Sequence, residues 1–170
     1  MNPTNRPSSS AQSSLVGLVL LNLGTPEDPS TPAVRRYLKE FLMDPDVVDI
    51  HPWLRWLLVH GIILPRRSSQ SAALYQTIWT DRGSPLLVHL EDLVHEVRQE
   101  VQKRRSQGSP DQGPELVVVG AMRYATPSIR QVFEQLRDQG ISRVVVFPLY
   151  PQYSLAATES SIKKCREQFA

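Results

Sequence analysis

Two adjacent arginines, Arg66 and Arg67, stand out as a chemical pair, because planar guanidinium groups fork carboxylates through two parallel hydrogen bonds. The same pair also reads as a basic loop face in solvent. Arg123 and Tyr124 follow a valine-rich run and would stand at the carboxyl end of a strand, where open α/β sheets bind ligands. An arginine there can equally cap exposed strand carbonyls. Ser84 precedes Pro85, a dipeptide that starts helices as readily as it lines a pocket. His51, His60, His89 and His95 show no metal-ligand spacing, and His89 and His95, six residues apart, fall on different faces of a helix. All four read as surface or packing histidines. Cys165 is the single cysteine, which rules out an intrachain disulfide or a cysteine-built metal cluster and fits a reducing compartment.

These residues need a scaffold, and the hydropathy pattern supplies one. Residues 15–21, 116–120 and 143–149 are short Val/Leu-rich runs of the kind that form parallel strands covered on both faces. The first ends in the turn cluster Asn22-Leu23-Gly24-Thr25-Pro26. A helix follows, with Thr31 as its expected cap, Pro32 in the first position, and Val34, Tyr37, Leu38 and Phe41 on one face. Residues 43–67 read as irregular, interrupted by Pro45, Pro52 and Pro65. Helical periodicity returns over 69–78. It returns again from Pro85 to about Arg105, where Leu86, Leu90, Leu93, Val97 and Val101 line up. Residues 106–114 read as a Gly/Pro/Ser/Gln loop. Pro127 is expected to open a helix with Ile129, Val132, Phe133 and Leu136 inward, ending near Gly140. A last helix spans 157–170. This alternation predicts an α/β fold, a three-layer Rossmann-like parallel sheet flanked by helices. A crossover helix normally delivers the chain to another parallel strand, so the domain is expected to be cut short, or its sheet to be completed by something else.

Composition narrows the class. The 170 residues are 41% hydrophobic and 21% charged, the balance of a globular domain. A net charge of +2 is too small to argue for nucleic-acid binding. Residues 1–14 lack both the apolar run of a secretory signal and the multiple arginines of a transit peptide, and read as a disordered tail. The apolar stretch 53–64, from Trp53 to Leu64, is shorter than the roughly 20 residues that span a bilayer and contains Arg55 and His60. Its residues Trp53, Leu54, Trp56, Leu57, Leu58, Ile62 and Ile63 suit a membrane interface, with a buried helix or a subunit contact as the alternative.

Several stretches, taken in order, resemble the ferrochelatase family of the bacterial type. They are Leu20-Leu21-Asn22-Leu23-Gly24-Thr25-Pro26; the run Val34 to Leu42 followed by Asp44-Pro45; His60-Gly61-Ile62-Ile63-Leu64-Pro65-Arg66-Arg67; Ile78-Trp79-Thr80; Gly83-Ser84-Pro85-Leu86; Ala121-Met122-Arg123-Tyr124; and Pro148-Leu149-Tyr150-Pro151-Gln152-Tyr153-Ser154. Each is weak alone, and their order is specific. The resemblance implies a chelatase-type fold of two similar α/β halves around a porphyrin cleft. Residues 15–156 would form the amino-terminal half, with 43–67 as an apolar lip and 157–170 leading toward a second half. The family's metal-proximal histidine, in a Ser-x-His motif, and its acidic partner would belong to that second half.

The resemblance further implies that Fe(II) is a substrate, inserted into protoporphyrin or coproporphyrin during haem biosynthesis. It places Leu23, Arg66, Arg67, Tyr75, Ser84, Arg123 and Tyr124 at the porphyrin. Arg67 would grip a propionate, and Tyr75, otherwise a helix-packing residue, would face the site. Leu23, where some relatives carry Tyr or Met, would give only apolar contact. Tyr150, Gln152, Tyr153 and Ser154 would belong to the rim. A cytoplasmic location is expected, with peripheral membrane contact through 53–64. The competing reading is a tetrapyrrole-binding half-chelatase that is non-catalytic or depends on a complementing chain. A flavodoxin-like cofactor domain fits poorly, since Gly24-Thr25-Pro26 supplies no glycine-rich phosphate loop.

Overall fold

The structure is a computed structural model that describes residues 15–108 and 113–169. The expected tail over 1–14, the middle of the 106–114 loop and Ala170 lie outside the described residues. The valine- and leucine-rich runs form β1 (Val16–Gly24), β2 (Leu116–Tyr124) and β3 (Arg143–Pro148), all parallel, in the order β2-β1-β3. Val16 pairs with Leu116 on one side and with Arg143 on the other, so β1 is central. Pro148 ends the edge strand β3, where a missing N–H costs no ladder bond on the open side.

Between β1 and β2 lie α1 (Thr31–Leu42), α2 (Pro52–Leu57), α3 (Leu64–Ile78) and α4 (Pro85–Ser106). After β2 come α5 (Ile129–Asp138) and, beyond β3, α6 (Ser160–Phe169), which follows a π-turn over Leu155–Glu159. The sheet is sandwiched, giving the three layers expected. On one face Val19, Leu21, Val119 and Ala121 bury against Ile129, Val132, Phe133 and Leu136 of α5 and Cys165 of α6. On the other, Leu20, Val118 and Met122 bury against Leu90 and Val94 of α4. A Cβ on Gly120 would come within 3.1 Å of Leu90, so glycine lets α4 lie close to the sheet. Of the residues expected to line up on α4, Leu86, Leu90, Val97 and Val101 pack on this side of the sheet, whereas Leu93 is exposed and Val94 is buried in its place.

The expectation that every strand is covered on both faces fails at β3. Val144 and Val146 pack on the α5 side, while Val145 and Phe147, pointing the other way, are 53% and 57% exposed. The reason is geometric: α4 lies over β1 and β2 and does not reach the edge strand.

Two helix starts also differ from expectation. Ser30, not Thr31, caps α1, its hydroxyl accepting from the Ala33 amide at 3.4 Å; Pro32 then falls in the first turn, where its missing N–H has no helical partner to lose. Helix α5 starts at Ile129 rather than Pro127, because Ser128 forms a reciprocal capping box with Gln131. The largest difference is in 43–67, read above as irregular. From Pro52 to Ile78 the chain is continuously helical, α2 passing into α3 through a π-turn over Leu58–Ile63. Within it the Leu64 amide donates to the Val59 carbonyl, five residues back. The buried stripe is Arg55, Val59, Leu64, Ser68, Ala72, stepping by four, five, four and four. Pro52 sits in the first turn of α2, and Pro65 follows the π-turn without ending the helix.

Gly24 closes β1 with φ +130°, and a Cβ there would lie 2.2 Å from the Tyr124 carbonyl oxygen. Only glycine lets the two strand ends approach this closely. We expect Gly24→Ala to lower unfolding free energy by more than about 2 kcal/mol, checked by urea denaturation followed by circular dichroism.

Candidate ligand crevice at the carboxyl ends of the strands

The carboxyl ends of β1 and β2 are tied together by one carboxylate. Asp44 follows α1 in a tight turn, where its Oδ1 accepts from the Asp46 amide at 2.8 Å and its carbonyl accepts from the Val47 and Val48 amides. That turn aims Oδ2 inward. There it accepts from Ser160 Oγ at 2.6 Å and Tyr124 OH at 2.8 Å, and pairs with Arg123 Nη2. Arg123 Nε donates to Ser160 Oγ at 2.7 Å, and its guanidinium carbon lies 4.4 Å from the Tyr124 ring centre. The ion pair is nearly dry, with 13% of the Arg123 and 5% of the Asp44 side chain exposed. Arg123 therefore does not cap strand carbonyls, the alternative its position suggested; it is an ion-pair partner. Burial pushes the Asp44 carboxyl up, but hydrogen bonds from Ser160, the Asp46 amide and Tyr124, together with the Arg123 charge, hold it below its ordinary value.

An aromatic chain extends from this node. The Tyr124 ring meets Phe41 edge-on at 5.3 Å, Phe41 lies parallel to Tyr37 at 6.2 Å, and Tyr37 meets Tyr75 edge-on at 6.5 Å. Tyr75 in turn meets Trp79 at 6.3 Å. The Tyr37 hydroxyl donates to the Gly24 carbonyl at 3.2 Å, fixing the end of β1 to α1. Burial raises the Tyr37, Tyr75 and Tyr124 phenols above their ordinary values, so all three stay protonated at neutral pH.

Of the residues singled out in the sequence, Tyr75 and Tyr124 are thus joined through this chain, and Arg123 through the Asp44 node. Ser84 is buried and shares a 2.7 Å hydrogen bond with Thr25, just past Gly24, so it also reaches the end of β1. It caps α4 by position, without a side-chain cap bond. Leu23 is half-buried on β1 beside these groups. Arg66 and Arg67 lie on the first turn of α3, both exposed, and no hydrogen bond or ion pair joins either to the node among the described residues. Tyr150 donates to or accepts from Ser161 at 2.8 Å, Tyr153 donates to Glu159 at 3.0 Å, and Ser154 caps the π-turn that leads into α6. Gln152 is exposed.

Sequence reasoning missed Asp44, Ser160 and Tyr37 as site-building residues. Asp44 and Ser160 lie 79 and 37 residues from Arg123, so no local spacing links them. Among the described residues no three His, Cys, Asp or Glu side chains gather as a metal cage. His60 instead stacks on Trp56 at 5.0 Å, and its Nδ1 lies 3.0 Å from the Trp56 carbonyl. Trp53, Leu54, Trp56, Leu57 and Ile62 are exposed along α2 and the π-turn, while Val59 and Leu64 face inward. No described helix is long and apolar enough to cross a membrane.

A parallel α/β domain with polar and aromatic groups converging at its strand ends belongs to the class that binds ligands outside that edge of the sheet. Comparison narrows this further. The family model for ferrochelatase matches residues 15–170, and the chain belongs to that family. It is 43% identical over 151 residues to a ferrochelatase of Coxiella burnetii (strain Dugway 5J108-111), covering 89% of this chain and 40% of the relative. It is 42% identical over 154 residues to one of Marinobacter nauticus (91% and 40%), and 42% identical over 161 to one of Teredinibacter turnerae (95% and 42%). The chain spans about two fifths of the length of these curated relatives.

Removing Asp44 would leave Arg123 buried without its counter-charge, and we expect Asp44→Ala to cost about 3 kcal/mol. Asp44 titrates lower in the folded than in the unfolded chain. Its contribution is therefore complete above the ordinary carboxylate value and disappears as pH falls through the lower folded value. Thermal melts from pH 7 downward should show wild type losing stability on acidification more steeply than Asp44→Asn.

Proposed function

We propose that this chain supplies the porphyrin-binding half of a ferrochelatase that inserts Fe(II) into protoporphyrin or coproporphyrin to make haem. The observation that carries the reading is the family match across 15–170, in which Leu23, Ser84, Arg123 and Tyr124 all fall at the carboxyl ends of β1 and β2. Metal insertion requires a gripped ring, neutralised propionates and a base that accepts two pyrrole protons as the metal enters. Leu23 and the aromatic chain through Tyr75 offer apolar surface for the ring. Arg66 and Arg67, exposed and unpaired among the described residues, have guanidinium forks available for propionates.

No free base stands among these groups. Asp44 is saturated by four donors, and the phenols Tyr37, Tyr75 and Tyr124 hold their protons. The reading therefore assigns proton removal to residues outside this segment. The same observation favours, as a second reading, a half-chelatase that binds a tetrapyrrole without converting it. Exposure of Trp53, Leu54, Trp56, Leu57 and Ile62 supports peripheral contact with a membrane interface, where apolar porphyrins partition.

We expect the purified chain to quench deuteroporphyrin fluorescence on binding and to form no zinc porphyrin above background; robust turnover would overturn the division of labour. Insertion restored by fusion to the carboxyl-terminal remainder of the Coxiella relative supports the catalytic reading over the second. Arg67→Ala should weaken porphyrin binding about tenfold, the scale of one charged hydrogen-bonded pair. Flotation with anionic lipid vesicles checks the lip: Trp53→Ser/Trp56→Ser should lose most of the vesicle-bound fraction.

A further inference from the structure

The sheet has two outer edges, and they are finished differently. On β2 the Val118 carbonyl accepts from Arg98 Nε at 2.8 Å, and the Met122 amide donates to the Pro127 carbonyl at 2.7 Å. A side chain and a loop thus occupy that edge, one of the ways sheets blunt theirs. On β3 nothing comparable stands. The Leu149 amide donates to the Leu21 carbonyl of β1 at 2.8 Å, so by the two-residue period of a strand Phe147, Val145 and Arg143 also turn their backbone groups toward β1. Val144 and Val146 turn theirs outward, and among the described residues nothing hydrogen-bonds them there. Pro148, next in that outward row, has no N–H to offer.

The side chains of this strand are as open as its edge. Arg143, Val145 and Phe147 share the face that α4 does not reach; all three are exposed, and the Arg143 side chain has no partner among the described residues. On the opposite face Val144 and Val146 border an open, mostly apolar hollow of about 340 Å³ with Phe133, Cys165, Arg166 and Phe169.

We propose that the outer edge of β3 is the docking site for a second copy of this chain, the two strands pairing antiparallel about a two-fold axis at Val145. The strand is complementary to itself in that register. Val144 of each copy meets Val146 of the other and exchanges both backbone hydrogen bonds, four bonds that no proline interrupts. Val145 meets its own copy as a non-hydrogen-bonded pair, where side chains stand closest. Arg143 meets Phe147, so each exposed ring receives a guanidinium and neither cation faces its like. An axis at Val146 would set Val144 against Pro148 and forfeit a bond at each end. An axis at Val144 would set Phe147 opposite Ile141, which lies before the strand and is buried in the core. Because the β2 edge is already occupied, the pairing closes at two copies. The proposal does not depend on the porphyrin reading.

The test is sedimentation of the 170-residue chain over a concentration series. Wild type is expected to move from the mass of one chain to that of two and to stop there. Val145→Glu sets two carboxylates face to face at the axis and should weaken self-association by at least about tenfold. Val145→Lys should do the same, and mixing the two variants should restore the dimer, which a damaged fold would not do. A wild-type chain that stays monomeric or grows beyond two copies overturns the proposal. So does a dimer that both charged variants keep, or a mixture of folded variants that stays monomeric. A chain that ignores its own copies yet pairs one-to-one with the carboxyl-terminal remainder of the Coxiella relative also overturns it, since the edge then belongs to a different strand. Should the charged variants fail to fold, mild oxidation of Val145→Cys decides. A covalent dimer is expected there and not in Phe147→Cys, whose copies lie apart; no cross-link in the first, or equal cross-linking of both, overturns the register.

Discussion

A buried guanidinium must find its charge and hydrogen-bond partners inside the protein, and the upper half of this domain is arranged around that requirement. Desolvating Arg123 is tolerable only because Asp44 stands opposite it, and desolvating Asp44 is tolerable because four donors converge on its two oxygens. The donors come from the turn after α1, the end of β2 and the start of α6. Segments far apart in the chain are thereby fixed relative to one another. The apolar layers on either side of the sheet supply most of the driving force for folding, but they are non-directional. The Asp44 node is directional, and it fixes the end of β2, where Arg123 and Tyr124 stand, against the turn after α1 and the start of α6.

The aromatic chain extends this alignment sideways. Tyr37 bonds the Gly24 carbonyl and packs between Phe41 and Tyr75, so helix α1 acts as a spacer between the sheet and α3. Gly24 permits the closest approach of β1 to β2 at the level of that bond. The strand ends thus rest on a rigid floor of backbone and buried phenol.

Much of the scaffold was legible because continuous Val/Leu runs and helical stripes report burial directly. The strand cores were readable, yet β1 and β2 each run several residues further, through Asn22 to Gly24 and Ala121 to Tyr124. Those extensions carry polar residues whose partners are remote, and no local pattern marks them. Arg123 and Tyr124 could be placed at a strand end from their position after the valine run. That Asp44 and Ser160 hold them could not, since the contacts close loops of 79 and 37 residues. The edge strand β3 misled for a related reason: Val145 and Phe147 are as apolar as a covered strand requires, and hydropathy does not reveal whether a helix reaches over them. The helix through 52–78 was obscured by its own buried stripe, which slips from a step of four to a step of five between Val59 and Leu64.

That slip has a bearing on how the region can change over generations. Each residue of an α-helix advances the side-chain direction by roughly 100°, so the additional residue in the π-turn sets the rotational phase of everything after it. Ser68 and Ala72 face inward, and Arg66 and Arg67 outward, only because that residue is present. Substitutions along the exposed side of the segment leave the phase untouched, whereas a one-residue deletion between Val59 and Leu64 would turn the following four helical turns together. Lineages descended from this sequence should therefore vary freely here in side-chain identity while conserving the count of residues, with length rather than composition under selection.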